Sequence, residues 1–209
     1  MKYDLNQIIL ADCMDIMRDI PDKYFELAIV DPPYGIGMSG GLVGNSKKDY
    51  KNFVGNDAAI PDKKYFKELF RISKNQIIWG GNYMIEYLYP TSCFIVWDKV
   101  QPEKFSMAMC EFAWSSFQSP AKIIKKRIVN ADKDGRIHPT QKPVFLYRWL
   151  LQNYAKPNDK IIDTHSGSGS CAIACHIEKH DFLAIEKDPD YHAASVKRLE
   201  EVRAQGVLF

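Results

Sequence analysis

The sequence predicts one α/β domain over residues 1–209, with a Rossmann-like sheet of seven strands flanked by helices. Three observations predict this fold class. The chain has 209 residues and a mass of 24.0 kDa, a size at which a single compact domain is usual. Short apolar runs rich in Ile, Val and Phe alternate with longer amphipathic stretches, which is typical of β-α units. The composition, 46% hydrophobic and 26% charged, is that of a globular protein.

Seven short apolar runs, each bounded by polar, Gly or Pro residues, are predicted as strands. They cover residues 7–10, 26–30, 76–79, 93–97, 111–115, 160–163 and 182–185. Three stretches carry apolar residues at helical spacing and are predicted as the covering helices. They cover residues 62–73, 144–154 and 191–202.

Two stretches are predicted to lack regular structure and to form substrate loops. Residues 35–57 contain six glycines together with Lys47 and Lys48. Residues 118–138 are polar, and 121–138 hold six basic residues against two acidic ones. A basic loop is usually just solvated, but Lys and Arg are also the residues that contact phosphates.

Composition excludes several classes of protein. The five cysteines form no CxxC pair, so neither a disulfide framework nor a metal site is predicted. No run approaches the roughly 18–20 apolar residues of a membrane span, and the first residues lack the pattern of a secretory signal. We therefore expect a cytoplasmic protein that does not act at a membrane.

The first chemical motif is Asp31-Pro32-Pro33-Tyr34, which directly follows the apolar run 27–30. It is therefore expected at the carboxyl end of a strand, where open α/β sheets bind ligands. The prolines donate no N–H and leave free carbonyl oxygens. A carboxylate, free carbonyls and an aromatic face suit a planar ring that bears an exocyclic amino group. Accepting both protons of that amino group favours a pyramidal nitrogen that can attack an electrophilic methyl group.

The second motif is a predicted strand, glycine turn and helix. Asp163 ends the strand, and Gly167 and Gly169 allow a tight turn that can approach a ligand closely. Glu186 lies 19 residues beyond Gly167, a spacing that suits a carboxylate binding ribose hydroxyls. The same pattern would fit NAD, so the glycine turn by itself indicates only a nucleoside-containing cofactor.

Two further segments are weaker signals on their own. His138-Pro139-Thr140-Gln141-Lys142-Pro143 leads into the helix predicted from residue 144, and Pro143 suits the first turn of that helix. Asp12-Cys13 follows the first predicted strand, where Asp12 is a good helix N-cap.

Together these segments resemble the amino-methylating DNA methyltransferases that use S-adenosylmethionine, in the permuted group whose DPPY motif precedes the glycine motif. DPPY followed by HPTQKP is specific to that family. The resemblance implies that Asp31, Pro32, Pro33 and Tyr34 are catalytic and hold the flipped base. It also implies that Asp163, Gly167 and Gly169 surround the methionine part of the cofactor, that Glu186 binds its ribose, and that Asp12 and Cys13 contact its adenine. The remaining cofactor-binding residues that it implies are Thr140, Gln141, Lys142, His165 and Ser170.

One residue pair departs from the family pattern. Family members commonly have Pro-Phe after the Asp of the glycine motif, whereas this chain has Thr164-His165. Packing against the cofactor is expected to differ there.

The resemblance implies an enzyme that methylates adenine N6 in double-stranded DNA, because Asp is more usual than Ser at the first DPPY position of adenine enzymes. Cytosine N4 methylation remains an alternative, as does a DNA-binding subunit without catalysis. No segment is long enough for a separate recognition domain, so specificity would come from the two loops, a second copy of the chain or another partner. The expected DNA-binding residues are Lys47, Lys48, Lys122, Lys125, Lys126, Arg127 and Arg136.

Overall fold

The computed structural model describes residues 2–37, 57, 59–102, 108–127, 137 and 141–206. Within these residues it contains one sheet of eight strands in the order β1-β8-β7-β2-β3-β5-β4-β6. The strands are β1 Gln7–Leu10, β2 Phe25–Val30, β3 Ser73–Trp79, β4 Phe94–Asp98, β5 Cys110–Ser115, β6 Lys122–Lys125, β7 Ile161–Asp163 and β8 Phe182–Glu186. Only β5 runs against its neighbours, so the carboxyl ends of the other seven strands meet at one edge of the sheet.

Among the described residues, five α-helices cover the two faces of the sheet. They are α1 Cys13–Arg18, α2 Lys63–Ile72, α3 Val144–Tyr154, α4 Ser170–Glu178 and α5 Pro189–Gln205. Buried residues of α3, α4 and α5 pack into one apolar core, and those of α1 and α2 pack into a second core on the opposite face. The α/β fold predicted from the sequence is confirmed. Among the described residues, no helix has the length and apolar content needed to cross a membrane.

Aspartates fix the starts of three helices, because a side-chain oxygen can accept the free N–H groups of the first turn. Asp62 accepts from two backbone N–H groups of α2, Asp188 from two of α5, and Asp12 from the N–H of Met14 in α1. The N-cap role of Asp12 expected from the sequence is confirmed.

The predicted strand count was wrong by one. Residues 122–125, assigned to an irregular loop, form the edge strand β6, which pairs in parallel with β4. The strand has four residues, and only Ile124 is buried, whereas Ile123 is 60% exposed. The sequence signal was weak because an edge strand that buries one side chain between two lysines lacks the apolar run of a central strand.

Candidate active site

Four acidic residues follow four neighbouring strands at the carboxyl edge of the sheet. Asp31 follows β2, Asp163 ends β7, Glu186 ends β8, and Asp12 lies two residues after β1. The strand order places them in that sequence along the edge. Since adjacent strands are about 4.8 Å apart, the row spans roughly 14 Å. The row is therefore long enough to contact an extended small molecule.

Asp31 is the centre of a hydrogen-bonded cluster. Its Oδ1 accepts hydrogen bonds from the Tyr34 hydroxyl and from the Lys142 Nζ, both at 2.6 Å. The Lys142 Nζ also donates to the Tyr34 hydroxyl oxygen at 2.8 Å. Burial, reinforced by the negative charge of Asp31, raises the pKa of Tyr34 well above its usual value. The phenol therefore keeps its proton and remains a donor.

The backbone after the DPPY motif is held by Asp57. Its Oδ1 accepts the N–H groups of Tyr34 and Gly35 at 2.8 and 3.0 Å. The Tyr34 ring stacks on Tyr83, with centroids 5.3 Å apart and planes 20° from parallel. The aromatic face expected from the sequence is thus fixed by its backbone, its hydroxyl and a stacking partner.

Lys142 brings a second carboxylate to the cluster. Its side chain is 4% exposed, and its Nζ lies 3.1 Å from Glu111 Oε2. Burial alone lowers the pKa of Lys142, but Asp31 and Glu111 outweigh this effect and the pKa lies above its usual value. Burial likewise raises the pKa of Glu111, yet Lys142 and Lys99 bring it down to about 2. Lys142 and Glu111 are therefore both charged at neutral pH.

Sequence reasoning missed Glu111 as a site residue. It lies within a predicted strand, but because β5 is antiparallel its first residues reach the edge where the other strands end. Strand direction cannot be read from apolar periodicity. The available signal was an acidic residue at the start of the apolar run Phe112–Trp114.

Asp163 is a buried acid beside two other acids. Burial is the largest effect on its pKa, the backbone N–H of His165 counteracts it, and the charges of Asp31 and Glu186 add to it. The result is a pKa of about 8. Asp163 is therefore protonated at neutral pH unless a positive charge lies beside it.

The glycine turn is tied to the next strand through Glu186. One carboxylate oxygen accepts the Gly167 N–H at 2.7 Å and the other accepts the Asp188 N–H at 2.9 Å. A Cβ added to Gly167 would meet no atom within 4 Å. A Cβ added to Gly169 would lie 3.1 Å from the Cβ of Ser195. The turn thus packs closely on α5 at one glycine and leaves space for a ligand at the other.

His165 is the first member of a chain of hydrogen bonds that continues through Thr164 to Tyr65. Its Nδ1 is 3.0 Å from the Thr164 hydroxyl, which is 2.7 Å from the Tyr65 hydroxyl. Burial and the nearby Lys187 lower the pKa of His165 to about 4, although Asp12 opposes this. The imidazole is therefore neutral. Where family members commonly have the apolar pair Pro-Phe, this protein therefore has Thr164 and His165, which are linked by hydrogen bonds to Tyr65 of α2.

Other predicted cofactor-binding residues have partners of their own. Cys13 begins α1, and burial together with the charge of Asp12 raises its pKa to about 12, so the thiol is neutral. The Ser170 hydroxyl is 3.0 Å from that of Ser168 and accepts from Arg198. Gln141 Oε1 accepts the backbone N–H of residue 137 at 3.0 Å. Thr140 lies outside the described residues.

The predicted DNA-binding residues divide into three groups. Lys122 is engaged with α3, because its Nζ donates to Asn153 at 3.1 Å. Lys125, Lys126 and Arg127 are exposed at the end of β6, on the same edge of the sheet as Asp31. The rest lie outside the described residues: Lys47, Lys48 and Arg136.

Comparison with known proteins decides the family. A family model described as DNA methylase, that of the N6 and N4 enzymes, matches residues 46–197, nearly three quarters of the chain. The chain belongs to this family. This chain is 24% identical over 251 residues to the type II methyltransferase M.HinfI of Haemophilus influenzae. The match covers 95% of this chain and 69% of that protein.

Solved structures share the fold of the DNA methylase. The M1.HpyAVI complex with S-adenosylmethionine matches with a TM-score of 0.63 and 21% identity, over 92% of this chain and 98% of that one. The cytosine-N4-specific PvuII DNA methyltransferase matches with a TM-score of 0.64 and 14% identity, over 94% and 89%. The family is confirmed as that of S-adenosylmethionine-dependent, amino-methylating DNA methyltransferases, so the NAD alternative is excluded.

The residues of the methylase fit this cofactor. It carries a sulfonium and an ammonium group, and a positive charge beside Asp163 would favour the ionised form of this acid. Space beyond Gly167 admits a ligand next to the backbone. Ser166 Oγ is buried and, within the described part of the chain, has no hydrogen-bond partner, as expected of a group that meets a ligand.

Substituting Asp163→Asn should flatten the pH dependence of stability. The pKa of Asp163 is about 8 when folded and near 3.9 when unfolded. Between these values the folded protein holds a proton that the unfolded chain has lost, so the contribution of Asp163 to the free energy of unfolding is greatest below about pH 4 and falls as pH rises to about 8. The contribution is at most about 1.4 kcal/mol per pH unit. Urea unfolding of both proteins without cofactor, from pH 5 to pH 8.5, measures it. Parallel curves for the two proteins would refute the raised pKa.

Proposed function

We propose that this methylase transfers a methyl group from S-adenosylmethionine to the N6 amino group of adenine in double-stranded DNA. The observation that carries the proposal is the position of Asp31, a carboxylate held by Tyr34 and Lys142 next to the glycine turn. Adenine is preferred over cytosine because an Asp at the first DPPY position is more usual in adenine enzymes of this family.

Asp31 and the Pro-Pro turn would hold the reacting amino group. In the described part of the chain both hydrogen bonds to the Asp31 side chain fall on Oδ1, which leaves Oδ2 to accept one amino proton. The carbonyl of Pro32 would accept the other, and Tyr34 would stack on the base. Two acceptors oriented in advance favour the nitrogen geometry needed for direct attack, without a covalent intermediate on the enzyme.

The row of acids would orient the cofactor. Asp163 and the backbone at Gly167 would bind its methionine part, Glu186 its ribose, and Asp12 with Cys13 its adenine. When bound, S-adenosylmethionine supplies an electrophilic methyl group. With these assignments the methionine end of the cofactor would lie next to Asp31, because β7 and β2 are neighbouring strands.

A base paired in duplex DNA cannot reach this edge, so the target adenine must leave the helix stack. Lys125, Lys126 and Arg127 are exposed along the same edge and would contact phosphates. We also propose that the enzyme recognises a particular DNA sequence, either as a homodimer or with a separate specificity partner. Its proposed location is the cytoplasm.

Mass analysis of DNA nucleosides tests the proposal. Purified protein is incubated with methyl-labelled S-adenosylmethionine and unmethylated double-stranded DNA, which is then digested. We expect labelled N6-methyldeoxyadenosine. Labelled N4-methyldeoxycytidine would retain the chemistry at Asp31 but refute the choice of base. Cofactor binding without any product would refute catalysis and favour a binding subunit.

A further inference from the structure

Glu111 is a largely buried carboxylate beside Asp31 that has no part in the function proposed above. Its side chain is 24% exposed, and it pairs with Lys142, which also bonds Asp31. We propose that Glu111 is a positioning residue: it holds the Lys142 ammonium so that this group bonds only Oδ1 of Asp31 and leaves Oδ2 to the amino group of the target base. This inference rests on the proposed function.

Counting the donors of Lys142 explains why the second carboxylate matters. An ammonium group has three N–H donors. They face Asp31 Oδ1 at 2.6 Å, the Tyr34 hydroxyl at 2.8 Å and Glu111 Oε2 at 3.1 Å. If Glu111 held the ammonium less strongly, one N–H donor of Lys142 would be released beside Asp31, whose Oδ2 belongs to the carboxylate that Lys142 already bonds. Lys142 would then compete with the base for that oxygen.

Glu111 is itself fixed in place from two sides. Its Oε1 pairs with Lys99 at 2.7 Å and its Oε2 with Lys142. With Asp31 the cluster contains two acids and two lysines, so its charges balance. Buried ions are tolerated when they are paired in this way. The neutral cluster keeps a cation next to Asp31 without letting it cover both oxygens.

The test compares Glu111→Gln with Glu26→Gln. Glu26 is a matched control, because it is 22% exposed and lies between two lysines, Lys74 at 3.0 Å and Lys160 at 3.7 Å, at the opposite edge of the sheet. At saturating cofactor and DNA, the single-turnover rate of Glu111→Gln should fall about tenfold, because the amide oxygen is a neutral acceptor and holds the Lys142 ammonium less strongly than the carboxylate does. Cofactor affinity should change no more than in the control. Glu111→Asp, which keeps the charge, should recover part of the rate.

A second readout does not depend on activity. In the cofactor-free protein, a buried and hydrogen-bonded ammonium exchanges its protons slowly, so the Lys142 side chain should give a resolved ¹⁵N signal that is absent in Lys142→Arg. That signal should shift in Glu111→Gln and stay in place in Glu26→Gln. An unshifted signal in Glu111→Gln would overturn the inference.

The outcomes separate this inference from the proposed function. If the wild-type protein binds cofactor but methylates no nucleoside, both are overturned. If it methylates DNA and Glu111→Gln is as fast as Glu26→Gln, the inference about Glu111 is overturned and the proposed function stands.

Discussion

Replacing Asp31 by alanine should reduce methyl transfer about a hundredfold to a thousandfold, the usual cost of losing one oriented group that acts in the transition state. The substitution removes an acceptor for the amino group, and it also removes the acceptor of the Tyr34 hydroxyl and one of the three partners of the Lys142 ammonium. Binding of S-adenosylmethionine should change much less, since the contacts proposed for it lie at or just after the ends of β1, β7 and β8. Single-turnover rates and calorimetric cofactor titrations measure the two effects.

Glu186→Gln provides the contrasting variant. Glu186 lies two strands from Asp31 and holds the glycine turn through the Gly167 N–H. We expect this variant to weaken cofactor affinity, while its rate at saturating cofactor falls less than that of Asp31→Ala. An Asp31→Ala protein with full turnover would exclude Asp31 from the chemistry. Equal losses of cofactor affinity in both variants would mean that Asp31 belongs to the cofactor site instead.

The parts of the fold that depend on local sequence were predicted well. Helix α3 has the predicted bounds, Val144–Tyr154, because apolar residues at helical spacing follow Pro143. The apolar run at the end of β2 predicted that Asp31 lies at the carboxyl edge of the sheet. Apolar runs before Asp163 and Glu186 predicted the same for these two residues, and all three lie at or directly after a strand end. Strand ends are visible in a sequence, since a buried strand is a continuous apolar run with a polar residue after it.

The parts that depend on distant contacts could not be predicted. Tyr65 and Thr164 share a hydrogen bond across 99 residues, and Lys142 and Asp31 one across 111. Periodicity reports which face of an element is buried but not which strand lies beside it. The sequence therefore indicated the acids of the row but not their order, and it gave no reason to place Glu111 beside Lys142.

Gly80→Ala should damage the site through Tyr34. Gly80 follows β3 with φ +67°, a conformation that costs a residue with a Cβ about 1–2 kcal/mol. A Cβ there would also overlap the Tyr34 ring, lying 2.7 Å from its Cζ, so the ring must move and overpacking adds about 1–3 kcal/mol. Because the Tyr34 hydroxyl bonds Asp31, methyl transfer should fall at least about tenfold. Urea unfolding and single-turnover rates measure both effects.

Gly206→Ala separates backbone strain from the clash. Gly206 has φ +64°, and a Cβ there would meet nothing within 4 Å. It follows α5, and none of the proposed contacts with base or cofactor involves it. This variant should therefore lose some stability and keep its methylation rate, whereas Gly80→Ala should lose both. If Gly80→Ala kept the full rate, the position of the Tyr34 ring would not matter for transfer, and its stacking on the base would have to be abandoned. A loss in Gly80→Ala alone would instead tie the rate to the placement of Tyr34, since both variants carry a Cβ at positive φ.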